Sequence, residues 1–194
     1  MTDALFLSEA RRVAEMSLLE DDALNDAAVF ALGSAALLPA VCEFRARQPL
    51  VVAGWFAVEA VYGALDDSVR LERILGEGGS AAPGSVIGVV RGATGTVLRG
   101  ERSALNILCR MCGIATLARR FASAAPGVDI LDTRKTTPGL RALEKYAVRA
   151  GGGREPQDEP FGHGNVQGQS HSRAGRYRGA FRRRCGGSFK RDPH

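Results

Sequence analysis

VDILDTRKTTPGLRALEKYAVRAGGG, residues 128–153, is the stretch on which the fold class turns. Val128 to Leu131 reads as a short strand and Asp132 to Thr137 as a polar loop. Pro138 suits the first turn of a helix running to about Arg149, because proline has no N–H to lose there, and Gly151-Gly152-Gly153 ends that helix. Strand, polar loop and helix start is the layout that opens a β/α barrel or an open α/β sheet, and ligands sit at that strand end. The loop sets Arg134, Lys135, Thr136 and Thr137 beside a helix start with unpaired N–H groups, which predicts an anion site. Residues 1–153 contain 15 arginines and only two lysines, Lys135 and Lys145. A compact ammonium at Lys135 is therefore predicted to be chemical, the alternative being a solvated loop with its charges in water.

Upstream, Leu105, Leu108, Cys112, Ala115, Ala118 and Phe121 recur at helical spacing, predicting a long helix from Glu101 to Ala124 that Ala125-Pro126-Gly127 stops. Arg102 stands at its start; on position alone it is a surface ion-pair partner before it is a ligand. Before it, Ser8–Leu19 reads as a helix with Ser8 as N-cap, Val41–Arg47 as a strand, and Trp55–Leu65 as a helix. Val69–Leu75, Ser85–Arg91 and Thr96–Leu98 read as strands, with a Gly-rich turn at Gly76–Gly84. A helix with several antiparallel strands predicts an α+β layer packed on one face. Cys109 and Cys112 form a C-x-x-C without a second pair at zinc-finger spacing, so they are expected to be buried helix-face thiols, and no metal site is assigned.

The 194 residues suffice for one domain or a domain and a half, but their charge is uneven. Up to Gly153 there are 17 Lys+Arg against 17 Asp+Glu; from Arg154 onward there are 9 against 4, so the net +5 belongs to the last stretch. That stretch has no Leu, Ile or Met and carries all three histidines, and it cannot bury a core. No apolar run reaches bilayer length and the N-terminus lacks a signal-peptide pattern, so a cytoplasmic protein without a membrane partner is expected.

GERSALNILCRMCGIAT at 100–116 and DTRKTTPGLRALEKYAVRAGGG at 132–153 together resemble the paired signatures of quinolinate phosphoribosyltransferase, with a looser likeness through FRARQPLVVAG at 44–54. The resemblance implies an α/β protein: an α+β sandwich N-terminal domain followed by the start of an incomplete β/α barrel. On that basis residues 1–115 are the sandwich with its linking helix, 116–153 the first part of the barrel, and 154–194 a basic, disordered tail. The family joins quinolinate to phosphoribosyl pyrophosphate, giving nicotinate mononucleotide, CO2 and pyrophosphate for NAD synthesis, with Mg2+ and as a homodimer whose active sites borrow the partner's sandwich domain. It implies that Arg102 (across the dimer), Arg134 and Lys135 bind the substrate carboxylates, with Thr133 lining the loop and Lys135 as the catalytic cation. A molybdenum-transport-associated homologue of the same fold, or a non-catalytic dimerising or nucleic-acid-binding module, are the alternatives.

After Gly153 the family pattern stops, and with it the acidic residues expected for Mg2+ and pyrophosphate. REPQDEPFGHGNVQGQSHS, residues 154–172, can be encoded so that removing one G yields RNHRMSLSDMVMFKDNHI, which restores the family's Asn-His-Arg and Lys-Asp-Asn-His segments. The expectation is a one-nucleotide insertion at codons 154–155, an out-of-frame tail, and a chain without activity. The competing reading, in which Arg173–Arg191 with Tyr177, Phe181 and Phe189 binds RNA or an anionic surface, is disfavoured.

Overall fold

A computed structural model of the chain describes residues 3–155. They belong to one compact unit, Met1–Pro156. Of the basic tail expected at 154–194, Arg154 and Glu155 are described; the remainder, and with it the disorder and RNA-binding readings, lies outside the described residues, and the frameshift reading is not tested by the structure.

The chain opens with α1 (Asp3–Glu20), a short turn of 3-10 helix (Ala23–Asn25), α2 (Ala27–Leu32) and a second 3-10 turn (Gly33–Leu37). There follow β1 (Pro39–Arg45), β2 (Leu50–Val51), α3 (Trp55–Leu65), β3 (Arg70–Arg73), β4 (Ser80–Ala81), β5 (Val86–Ala93), α4 (Thr94–Ala124) and α5 (Arg141–Ala150). The main sheet is antiparallel in the order β1-β5-β3, with Val41 opposite Arg91 and Leu71 opposite Val90. A separate β2-β4 ribbon occupies the stretch around the expected Gly-rich turn.

One sheet face is covered and the other is open. Phe44 meets Trp55 of α3 edge-on, ring centroids 5.5 Å apart. Trp55 is wholly buried and its indole N–H donates to the Leu75 carbonyl at 2.7 Å, so the ring enters the core without an orphaned donor. Burying it contributes about 4–6 kcal/mol, from roughly 150–250 Å² at about 25 cal/mol/Å². On the open face, Val41 is 59% exposed beside a charged row in which Arg91 pairs with Glu72 at 3.4 Å and Arg45 with Glu43 at 2.5 Å. This is the α+β sandwich expected from the sequence, with α1, α3 and α4 packed together on its covered side.

The start of α3 shows why its boundaries were readable. Gly54 adopts φ +109, a conformation that disfavours side chains, and breaks the backbone between β2 and the helix. No local side chain caps the helix; instead the Glu77 carboxylate accepts from Gly54 N–H at 2.8 Å and from Trp55 N–H at 2.8 Å.

Four local expectations are corrected. α1 begins at Asp3, and Ser8, expected as its N-cap, lies inside it with its hydroxyl donating to the Leu5 carbonyl at 2.9 Å. The strand expected at Thr96–Leu98 is the first part of α4, which is 31 residues long. The glycines that suggested turns there are packing seats: a Cβ on Gly100 would lie 2.5 Å from the Tyr62 ring, and one on Gly95 3.1 Å from Ala36 and Val29. Helices approach closely where side chains are missing, and that use of glycine is indistinguishable from a breaker in one dimension. The strand at Val128–Leu131 is reduced to one parallel bridge, Leu131 with Arg154, whose ladder bonds are Arg154 N–H to Ile130 O (2.8 Å) and Asp132 N–H to Arg154 O (3.1 Å). A parallel pair needs a crossover, and α5 supplies it, so residues 130–154 make one parallel β/α step. Finally, Pro138 precedes α5, which starts at Arg141.

Position 115 falls inside α4, so the sandwich and the β/α step share that helix. Among the described residues no helix is long and apolar enough to cross a membrane.

Candidate functional site

The loop between Leu131 and α5 carries the cations singled out from the sequence. Asp132, the first residue after the bridge, is buried, and its Oδ2 accepts from Lys145 Nζ of α5 at 2.5 Å. Only 5% of the Asp132 side chain and 14% of the Lys145 side chain are exposed. The other oxygen, Oδ1, is buried with no hydrogen-bond partner. Thr133 is half-buried, and its hydroxyl accepts from the Lys135 N–H at 3.1 Å, folding the loop back on itself. Arg134 and Lys135 are exposed. The Thr136 hydroxyl accepts from Arg141 Nε at 3.1 Å.

Thr137 closes the loop. Its N–H donates to Glu144 Oε2 at 3.2 Å, and Arg110 of α4 reaches both its hydroxyl and Glu144, the latter through Nε at 3.1 Å. Burial by itself would raise the Glu144 carboxyl, but the hydrogen bonds from Arg110 and Thr137 outweigh it and hold the group below its ordinary value. The helix start that was to offer free N–H groups at Pro138 therefore lies three residues later, and the Thr137 N–H is already taken by a carboxylate of the same chain. What the loop presents outward is side-chain charge, at Arg134 and Lys135.

Arg102 is exposed on α4 and is bound by Asp21, just after α1, whose carboxylate further stabilises the charged guanidinium. Within one chain it is the surface ion-pair partner that its position allowed. Arg102, Asn106 and Arg110 follow at four-residue intervals along one face of α4. Asn106 and Arg110 line a cleft of about 430 Å³ between α1, α4 and the start of α5. Its floor is apolar (Val13, Ile107, Met111, Leu143) and its rim is Glu20, Asp21 and Glu144 against Arg110. Arg102, Thr133, Arg134 and Lys135 do not line this cleft, although Arg102 is paired with Asp21 on its rim.

The sequence reading missed Asp132, Glu144 and Arg110 and noted Lys145 only as the second lysine. That rarity was the one available signal, since the pairings span 13 and 34 residues and no periodicity announces them. The C-x-x-C is divided. Cys109 is exposed, while Cys112 is buried against Ala53, whose N–H donates to its sulfur at 3.4 Å, and burial pushes its thiol up to about 11. Among the described residues no group of three or more His, Cys, Asp or Glu side chains is placed to hold a metal ion. The described residues do not form a Mg2+ cage.

Two family models match the chain. The N-terminal domain of quinolinate phosphoribosyl transferase matches residues 26–112 and its C-terminal domain residues 114–160, together more than two thirds of the chain. The matches meet inside α4. A quinolinate phosphoribosyltransferase (decarboxylating) of Nicotiana glauca is 39% identical over 123 residues, covering 61% of this chain and 35% of that protein. A probable carboxylating nicotinate-nucleotide pyrophosphorylase of Bacillus subtilis is 41% identical over 113 residues, 57% of this chain and 39% of the relative. The structure of the nicotinate-nucleotide pyrophosphorylase from Francisella tularensis superposes with a TM-score of 0.72 at 26% identity, over 77% of this chain and 54% of that one. The chain thus spans little more than a third of the length of these curated relatives and about half of the solved neighbour.

Proposed function

The chain belongs to the quinolinate phosphoribosyltransferase family, and from that premise we propose that it carries the quinolinate-binding loop of an enzyme forming nicotinate mononucleotide. The observation that carries the proposal is the 132–137 loop: two exposed cations, Arg134 and Lys135, stand three and four residues beyond the bridge residue Leu131 and sit on anchored backbone. A pyridine dicarboxylate needs fixed positive charge, and the planar Arg134 fork suits one carboxylate while Lys135 places a compact charge beside the other. Thr133 lines the same turn. Arg102 completes the set from a second copy of the chain.

In the reaction the ring nitrogen forms its bond to the anomeric carbon of phosphoribosyl pyrophosphate as pyrophosphate departs. The adjacent carboxylate then leaves as CO2, its bonding pair stays on the ring carbon, and a proton adds there. Lys135 and Arg134 act by holding charge and orienting the ring. Mg2+ accompanies this reaction in the family, and its binding would rest on groups other than those at 3–155.

The relatives do not favour the molybdenum-transport-associated homologue or a binding module. A homodimer is supported by the row of exposed apolar side chains at Phe30, Leu37, Leu38 and Val41 beside the open sheet face, surface that a second copy would cover. In the frame reconstruction Arg154 is common to both readings, so the parallel bridge belongs to the family's part of the chain. DNA sequence across codon 153 tests that reconstruction.

The functional test is quinolinate binding by calorimetry to the 194-residue chain, with nicotinate mononucleotide formation measured in parallel. Weak binding, lost in Arg134→Ala and Lys135→Ala, together with no turnover, is the expected result. Binding indifferent to both substitutions would sink the assignment of the loop, and turnover by the 194-residue chain would refute the expectation that it is inactive.

A further inference from the structure

Glu144 and Lys145 are neighbours in sequence, and the structure sends them to opposite ends of one loop. Lys145 reaches back to Asp132, where the loop leaves the parallel bridge. Glu144 takes the Thr137 N–H, where the loop turns into α5, and is itself held by Arg110 of α4. Consecutive helical residues point about 100° apart, which is what allows one turn of α5 to grip both ends of a six-residue loop. We infer that Glu144 and Lys145 form a two-point staple that fixes the backbone of the substrate loop, so that Arg134 and Lys135 are held in place before any ligand arrives. Both are positioning residues, acting through Thr137 and Asp132. The inference rests on the reading of that loop as the quinolinate-binding segment.

Three observations support a positioning role over mere cohesion. The Asp132–Lys145 pair is almost fully withdrawn from water, and a buried ion pair is a poor way to add stability because desolvation offsets its attraction. What such a pair does supply is direction. Asp132 also leaves its second oxygen buried and unpartnered, so among the described residues Lys145 is the one side chain that holds this carboxylate. And of the four residues between its arms, Arg134 and Lys135 lie at the surface while the ends of their loop are tied. A binding site whose cations sit on a fixed backbone avoids ordering that backbone at the moment of binding.

The test uses the 194-residue chain, with amide hydrogen exchange as the first readout and quinolinate affinity as the second. Lys145→Met and Glu144→Gln each loosen one end; Lys145→Arg keeps the charge. Should Lys145→Met fail to fold, the double variant Asp132→Asn with Lys145→Met removes the pair without leaving a buried charge. The expected result is exchange at the Asp132 and Thr137 amides at least tenfold faster, while Val52 and Val90 in the sandwich change by less than threefold. Quinolinate should bind at least tenfold more weakly, with Lys145→Arg recovering much of the loss. Unchanged exchange at 132–137, or equal acceleration in the loop and the sandwich, would overturn the staple. If the parent chain does not bind quinolinate, the substrate reading of the loop fails, and the exchange data still decide the staple.

Discussion

Gly151→Ala tests how closely the β/α step is seated on the sandwich. Gly151 follows α5 where that helix crosses α4, and a Cβ there would stand 2.3 Å from the Ala115 carbonyl oxygen and 2.6 Å from the Ala118 Cβ. The first obstacle is backbone of a long helix, so it cannot swing aside. Ordinary contact begins near 3.4 Å, and α5 must therefore move off α4 by about 1 Å. That movement strains the fan of bonds from Arg119, whose Nε donates to the Gly151 carbonyl at 2.9 Å and whose Nη2 donates to the Ala150 carbonyl at 3.3 Å. Overpacking costs about 1–3 kcal/mol and weakened hydrogen bonding about 1 more, so a loss of about 2–4 kcal/mol is expected. For a unit of this size that lowers Tm by roughly 5–15 °C. The control is the same substitution at Gly113, an exposed position within α4 with nothing inside 4 Å. There the methyl group should stabilise by about 0.5–1 kcal/mol through helix propensity alone. Urea unfolding, with thermal melts as a check, measures both. Gly151→Ala within 0.5 kcal/mol of the parent, or two glycines shifting in the same direction, would refute the packing argument.

Glu77→Ala removes the acceptor of the Gly54 and Trp55 amides at the start of α3 and should cost about 1–2 kcal/mol in urea unfolding. Because burial raises the Glu77 carboxyl above its ordinary 4.5, despite the Gly54 and Trp55 bonds, its contribution is fully present below that value and declines as pH rises through the raised one; the stability difference from Glu77→Gln should follow that course. Glu144 has the opposite sign. Its carboxyl is held low, so the stability it contributes is present above 4.5 and lost as pH falls through the lowered value, and Glu144→Gln should converge with the parent on acidification. Thiol labelling followed by peptide mapping should modify Cys42 and Cys109 rapidly in the folded chain and Cys112 only on unfolding, since burial keeps the Cys112 thiol protonated up to about 11.

Local patterns were legible where local physics governs them. Trp55–Leu65 was bounded correctly because an apolar run begins after a glycine break and ends at Asp66, and the alternating segments around Val41, Leu71 and Val89 did become the three-stranded sheet. The paired strings at 100–116 and 132–153 also carried the family assignment, as the domain matches bear out. Other features were hidden from that reading. Gly95 and Gly100 look like punctuation in one dimension, and only the nearness of Ala36, Val29 and Tyr62 makes them seats within a continuous α4. The charge of 134–135 could be read off the chain, but not that Asp132 and Thr137 are tied to Lys145 and to Glu144 with Arg110. Hydrophobic period and turn chemistry depend on neighbours a few residues away, and the amino-acid order states them directly. Which carboxylate meets which cation depends on how α5 lies against α4, and that follows from the packing of the whole unit.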